Sequence, residues 1–361
     1  MQSIEGHLKG GIPSEDVESL SLYWETFPKL QSALYTPVRR KKFYSLAVGK
    51  DTIRNTIDKD ADFSAYADKV ETAFESWKAK ADKKLRAISN KTKPKLLIAE
   101  LAELMIQKYE SVTLLDKYDA YEVLLSYWNE TMSDDVYLIV QDGYQAVREV
   151  EVFTKTTENK KTGKKKTTET GWDGRLVPKD LVIEMCFSGE RKAIDNIDTI
   201  IATKQAELDE MIENAEEDSI INDVLKDNGN LDKAGLKKKL RDKELDANDE
   251  VVLQKLQDTI TSVDEYTKIL KNLRATLDQN ARDQYPKLTD KQMMELLLNR
   301  KWYCSLINGI YALYNAVNHR ISDRVTELAD RYEQTMPELE TQVAQLEAKV
   351  KSHLERMGFA W

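Results

Sequence analysis

The sequence predicts a mainly α-helical protein built around a long antiparallel coiled-coil-like helical hairpin, with one small β-hairpin element. Three observations lead there. Apolar residues recur three or four apart through most of the chain, two long heptad series flank a turn-rich segment, and one stretch alternates at period two before a lysine-rich turn.

Residues 1–50 read as an extended entry segment, because Gly10, Gly11, Pro13, Pro28 and Pro37 interrupt any long helix. One short helix fits near Val17–Trp24. Residues 51–135 form a helical domain: Ile53, Ile57, Phe63, Tyr66, Val70, Phe74, Trp77 and Leu85 describe one helix face, Pro94 opens a second helix, and Tyr118–Trp128 continues the pattern. Ser133, Asp134 and Asp135 sit where helical spacing gives way to "VYLIV", and short polar residues there cap backbone groups; a catalytic carboxylate cluster of Glu130, Asp134 and Asp135 is the alternative. Tyr118, Tyr121 and Trp128 read as a buried helix face.

Residues 136–187 read as a small β-hairpin and linker region, with "VYLIV" a short β-branched run and alternation from Val147 to Phe153. The hairpin tip lies near Glu158–Lys164. Residues 188–285 form the antiparallel helical hairpin. Its first arm carries Ile194, Ile197, Ile201, Leu208 and Met211 with Lys204 as the polar core slot, and its second carries Leu256, Val263, Tyr266, Leu270, Leu273 and Leu277. Each arm reaches about 40–50 Å at 1.5 Å per residue. Residues 286–361 supply the C-terminal helices, one over Trp302–Tyr332 and a last one with Leu339, Val343, Leu346, Val350 and Leu354.

Composition places the chain among globular proteins, with 32% charged and 41% hydrophobic residues. No apolar run reaches the roughly 20 residues of a membrane span, and the start lacks a secretory plan, so a cytoplasmic location away from membranes is expected. Cys186 and Cys304 lie in apolar segments and read as buried free thiols. The net charge of -9 argues against a surface that grips nucleic acid all over. Local basic stretches remain, including Arg39 and Arg40 in "RRKK" and Lys160, Lys161, Lys164, Lys165 and Lys166 at the hairpin tip. Those five lysines, if all engaged DNA phosphates, give a salt slope of about -4 to -5 and position a duplex without reading bases. A solvated turn is the alternative.

The strongest enzyme signatures are missing. No G-x-G occurs, no phosphate loop occurs, and His7, His319 and His353 belong to no metal or catalytic spacing. No cofactor or metal ligand is read from this chain. Asp180, Glu190 and Lys192 loosely imitate a magnesium nuclease pattern, but Glu190 opens a helical series where a strand is required. A nuclease and a homodimeric coiled-coil scaffold are the competing function classes.

"GGIPSEDVESLSLYWETFPKL", "DKYDAYEVLLSYWNETMSDDVYLIVQDGY", "GRLVPKDLVIEMCF" and "PELETQVAQLEAKVKSHLERMGFAW" resemble, in order, the C-terminal part of the M subunit of type I restriction-modification systems. The resemblance implies a parent subunit that methylates adenine at N6 with S-adenosylmethionine, using loops absent from this sequence. It also implies a specificity (S) subunit and a restriction (R) subunit as partners, and double-stranded DNA as the substrate. The chain then reads as a C-terminal fragment or split polypeptide that docks the S subunit and helps clamp DNA. Its docking faces are the heptad positions Ile194, Ile197, Ile201, Leu208, Leu270, Leu273, Leu277, Leu339, Val343, Leu346 and Val350. Packing of these faces only on each other is the alternative.

Overall fold

A computed structural model of the chain describes residues 14–38, 43–158, 165–216, 219–226, 231–242, 245–332 and 336–357. It is mainly α-helical, with two separate two-stranded antiparallel sheets. The chain divides into two compact units, one of residues 1–141 with 302–361 and one of residues 142–301.

The described residues of the first unit open with three short helices, Ser14–Glu18, Ser21–Thr26 and Pro28–Leu34, where an extended segment with a single helix is expected from sequence. The prolines and glycines that suggested extension punctuate short helices; Pro28 sits at the first helical position, where its missing N–H costs nothing. β1 (Tyr35–Val38) and β2 (Phe43–Leu46) pair into a ribbon the sequence reading missed. The run expected to start at Asp51 is split: Ile53–Asp58 ends before Asp60, whose carboxylate accepts from the Asp62 and Phe63 amides and caps a fresh helix, Ala61–Arg86. That helix buries Phe63, Tyr66, Val70, Phe74, Trp77 and Leu85, the face predicted, and packs on Pro94–Tyr109 through a bond from Trp77 Nε1 to the Leu101 carbonyl at 3.0 Å.

Helix Lys117–Tyr127 does not stop at Ser133. A π-helical turn, Trp128–Met132, carries it directly into helix Ser133–Asp142. "VYLIV" is therefore helical, a correction to the strand reading. Met132, Asp135, Val136 and Ile139 are buried at a helical spacing of three, one and three, while Tyr137 points to solvent. A five-residue apolar run does not separate helix from strand by itself. Asp135 is buried inside the continuing helix and accepts from Trp302 Nε1 at 2.8 Å. Of the expected buried face, Trp128 is buried, Tyr121 half-buried and Tyr118 exposed.

In the second unit, β3 (Val150–Glu158) and β4 (Lys165–Gly174) form the predicted β-hairpin, with a bulge between Phe153 and Thr154. The apolar segment after Pro178 is a helix, Lys179–Cys186. The helical hairpin follows as predicted, with arms Ser188–Glu213 and Ala247–Gln284. Between them lies the short helix Lys233–Lys239, and Leu208, Val224, Leu236, Leu253, Leu256 and Ile260 make a small core at the turning end. Tyr285–Lys287, a 3₁₀ turn around Pro286, ends the second arm.

The next helix starts at Asp290, earlier than the expected Trp302. Thr289 and Gln292 form a reciprocal capping box there, and a π-helical run, Glu295–Tyr303, leads into Cys304–Arg331. The last helix is Met336–Arg356. Among the described residues, no helix is long and apolar enough to cross a membrane.

Candidate functional site

Two surfaces carry the sequence-predicted functional residues, the β3–β4 ribbon and the heptad faces. The ribbon is fastened at its root. Trp172, near the end of β4, is buried, and its Nε1 donates to Asp278 Oδ2 on the second arm at 2.7 Å. The Lys179 ammonium lies 5.2 Å and the Arg282 guanidinium 5.8 Å from the Trp172 ring centre, and Tyr285 meets the ring edge-on at 5.9 Å. Two cations and an aromatic edge around one indole hold it by quadrupole attraction as well as by burial. Arg282 also pairs with Glu169 at 2.8 Å.

The turn after β4 is equally tied. Asp173 Oδ1 accepts from the Gly174 and Lys179 amides, each at 2.7 Å, and the Tyr285 hydroxyl donates to the Val177 carbonyl at 2.6 Å. Burial, with Asp173 and Asp180 nearby, pushes the Tyr285 hydroxyl well above the ordinary tyrosine range. It stays a proton donor at every working pH. Gly174 is required where it stands, since a Cβ there would lie 1.9 Å from the Val177 carbonyl oxygen and 2.3 Å from the Tyr285 hydroxyl. Arg175 pairs with Asp142 at 2.6 Å and with Glu149.

Beyond this root the ribbon stands in solvent. Glu151 through Thr157 are all exposed, as are Lys165 and Thr167 through Thr170. Lys165 and Lys166 lie in β4, paired with Glu158 and Thr157. Lys160, Lys161, Lys164, Arg39 and Arg40 lie outside the described residues. The sequence reading overlooked Trp172, Asp278 and Arg282. The available signal was a lone tryptophan near the end of a strand otherwise made of threonine, lysine, glycine, Glu169 and Asp173.

The heptad faces divide into two groups. Ile194, Leu208, Leu270 and Leu277 are buried within the chain, and Ile197, Ile201 and Leu273 are half-buried. They line the seam of the helical hairpin itself. Leu208 packs with Leu253 and Leu256, and Arg274 joins the arms by pairing with Asp198 at 2.7 Å. Lys204 is half-buried and reaches Glu207 at 2.7 Å.

The C-terminal helix differs. Every residue from 341 to 350 is exposed, with Val343, Leu346 and Val350 at 53, 59 and 50%. Leu339 belongs to the same helix, although its side chain lies outside the described residues. A 21-residue helix cannot rely on propensity alone for stability in water, and its apolar stripe is left facing solvent.

The nuclease candidates do not assemble on a strand. Asp180 is in the first turn of helix Lys179–Cys186, Glu190 and Lys192 are in the first turns of the first arm, and all three are exposed. Asp180 approaches Arg191 at 3.8 Å. Among the described residues no group of three His, Cys, Asp or Glu could hold a metal ion. His319 and His353 lie exposed on helices, and His7 is outside the described residues. The cysteines depart from expectation: both are free, but Cys186 is only half-buried and Cys304 is exposed. Cys186 lies one turn after Val182 and Ile183, at the helix end where their buried face meets solvent, and Cys304 lies two positions before inward-turned Leu306, on the opposite side of its helix. Burial raises the Cys186 thiol above its ordinary value, which makes it a weak nucleophile. No protein-family model, curated protein or solved structure matches this chain.

Proposed function

We propose that the chain is the C-terminal, non-catalytic part of a type I restriction-modification M subunit. In this role it docks the S subunit through its C-terminal helix and helps clamp double-stranded DNA. N6-adenine methylation with S-adenosylmethionine would belong to a catalytic domain outside this sequence, in a complex that also takes up the R subunit. The observation that carries the reading is the exposed stripe Val343, Leu346 and Val350 on helix Met336–Arg356. Four sequence segments that resemble the M family in order support the identity of the partner.

Charge argues for a foreign helix against a second copy. With Val343 and Val350 at heptad a and Leu346 at d, Glu347 falls at e, and Lys349 and Arg356 fall at g. An antiparallel self-pair would set like charges together. A parallel one would oppose Lys349 to Leu354 and Gln342 to Glu347, so neither gives an opposite-charge pair.

The test is co-expression of the chain with the S subunit of its own system and tagged capture after nuclease treatment. The wild-type chain should retain S, and Leu346→Glu should lose it with unchanged helicity by circular dichroism, because the position is solvent-exposed. Equal retention by Leu346→Glu and Val350→Glu overturns the reading. A concentration-dependent dimer in light scattering that Leu346→Glu abolishes would favour the homodimeric scaffold instead.

A further inference from the structure

We propose that the outer β3–β4 ribbon enters the major groove of duplex DNA. This rests on the DNA-clamping reading above and assigns the contact to described residues at one place. From Thr154 to Glu158, paired with Lys165 to Glu169, the two strands form one ladder, and their described side chains outward of the Arg282–Glu169 pair are exposed on both faces. An isolated two-stranded ribbon is marginal in water. This one has a rigid foot at Trp172 and a solvent-exposed outer part, the geometry of an arm offered to a surface outside the chain.

Three features select duplex DNA as that surface. The first is charge complementarity. In a chain of net charge -9, the outer ribbon carries Lys155, Lys165 and Lys166 against Glu158 alone in residues 154–158 and 165–168. The second is size. Five residues per strand span about 17 Å, two strands lie about 4.8 Å apart, and the major groove is about 12 Å wide and 8.5 Å deep, enough to admit a two-stranded ribbon. Threonines keep it slim: Thr156 and Thr167 face each other at 3.1 Å between hydroxyls, with Thr154, Thr157 and Thr168 beside them. Their hydroxyls can donate to or accept from base edges, and their methyls can meet thymine methyls. The third is the absence of an aromatic ring outward of Phe153, which removes the stacking platform single strands require.

The test uses the whole chain and a fluorescein-labelled 20-base-pair duplex, with anisotropy read between 50 and 200 mM salt. The triple variant Lys155→Gln, Lys165→Gln, Lys166→Gln should make the slope of log affinity against log salt shallower by about 2.7, at about 0.9 per lost phosphate contact. A duplex whose cytosines carry glucosylated hydroxymethyl groups in the major groove should bind at least about tenfold more weakly, since it removes or blocks a base-edge contact of roughly 1–3 kcal/mol. Distamycin in the minor groove should leave binding unchanged. An unchanged slope in the triple variant, equal affinity for the glucosylated duplex, tighter binding to single strands, or no duplex binding at 50 mM salt each overturns the inference. Capture of the S subunit is scored on the same preparations. Intact capture with failed DNA binding rejects the ribbon's role alone, whereas lost capture by the wild-type chain rejects the docking reading.

Discussion

Replacing Trp172 by alanine should release the foot of the β3–β4 ribbon and destabilise the unit that holds it. The indole is buried, so a large-to-small change there costs about 3–5 kcal/mol, combining lost transfer energy with the cavity left behind. Part of that is the bond from Nε1 to Asp278 at 2.7 Å, which Trp172→Phe removes while keeping most of the ring. A bond to an ionised acceptor contributes about 1.5–3 kcal/mol. The lower end applies here, because Asp278 is partly solvated and keeps Lys179 at 3.1 Å. Thermal unfolding followed by circular dichroism should show a Tm loss on the order of 10 °C for the alanine variant, at about 2–4 °C per kcal/mol for a unit of this size, and a smaller loss for phenylalanine. Hydrogen exchange adds a local reading: the amides of Thr154–Thr157 should lose protection in Trp172→Ala, since the ribbon alone is marginal. A Tm within about 2 °C of wild type, or unchanged protection of those amides, would refute the claim that the indole fastens the ribbon.

Gly174→Ala should destabilise the same unit by about 1–3 kcal/mol in urea unfolding, because its Cβ would press on the Val177 carbonyl and the Tyr285 hydroxyl; a neutral result would mean the turn moves aside freely. Trp302→Phe should cost about 1–2 kcal/mol by removing the donor to buried Asp135 at 2.8 Å, with Asp135→Asn milder because an amide oxygen still accepts; reversal of that order would show the bond is not the main term. Asp16 binds Tyr332 at 2.5 Å, Arg331 at 2.6 Å and Arg324 at 2.8 Å, and these contacts hold its carboxyl down at about 2 from 3.8. A depressed carboxyl stabilises the fold above its unfolded value and loses that contribution as pH falls toward 2. Limited proteolysis by pepsin should therefore release the segment around Ser14–Glu18 between about pH 4 and 2, and Asp16→Asn should show that release without the pH step.

The long helices were legible in the sequence because a sustained heptad pattern has one geometric solution. Ile194 through Leu208 and Leu256 through Leu277 repeat their apolar side often enough to define a stripe, and polar turn residues between them leave an antiparallel pair as the short connection. The β3–β4 hairpin was legible from the period-two alternation that ends at Phe153 and the turn-rich middle after it, although Val147 itself lies in a 3₁₀ turn, Tyr144–Arg148, ahead of β3. "VYLIV" was not, since five apolar residues satisfy either period, and the π turn at Trp128–Met132 that keeps the helix in phase has no sequence mark.

Sequence by itself determined the heptad stripes, the lysine-rich ribbon and the lack of catalytic loops, because each is a property of local residue order. Tertiary structure decided which stripe is used up and which remains open. Leu339, Val343, Leu346 and Val350 repeat much as the arm residues do, yet the arms bury theirs on each other while the described residues of the C-terminal stripe stay in solvent. Only folding could also bring Trp172 to Asp278 and Arg282, more than a hundred residues away, and so make a ribbon of threonine and lysine into a fixed arm. Periodicity states what a face is made of; burial depends on what else arrives there, and that is a long-range property of the chain.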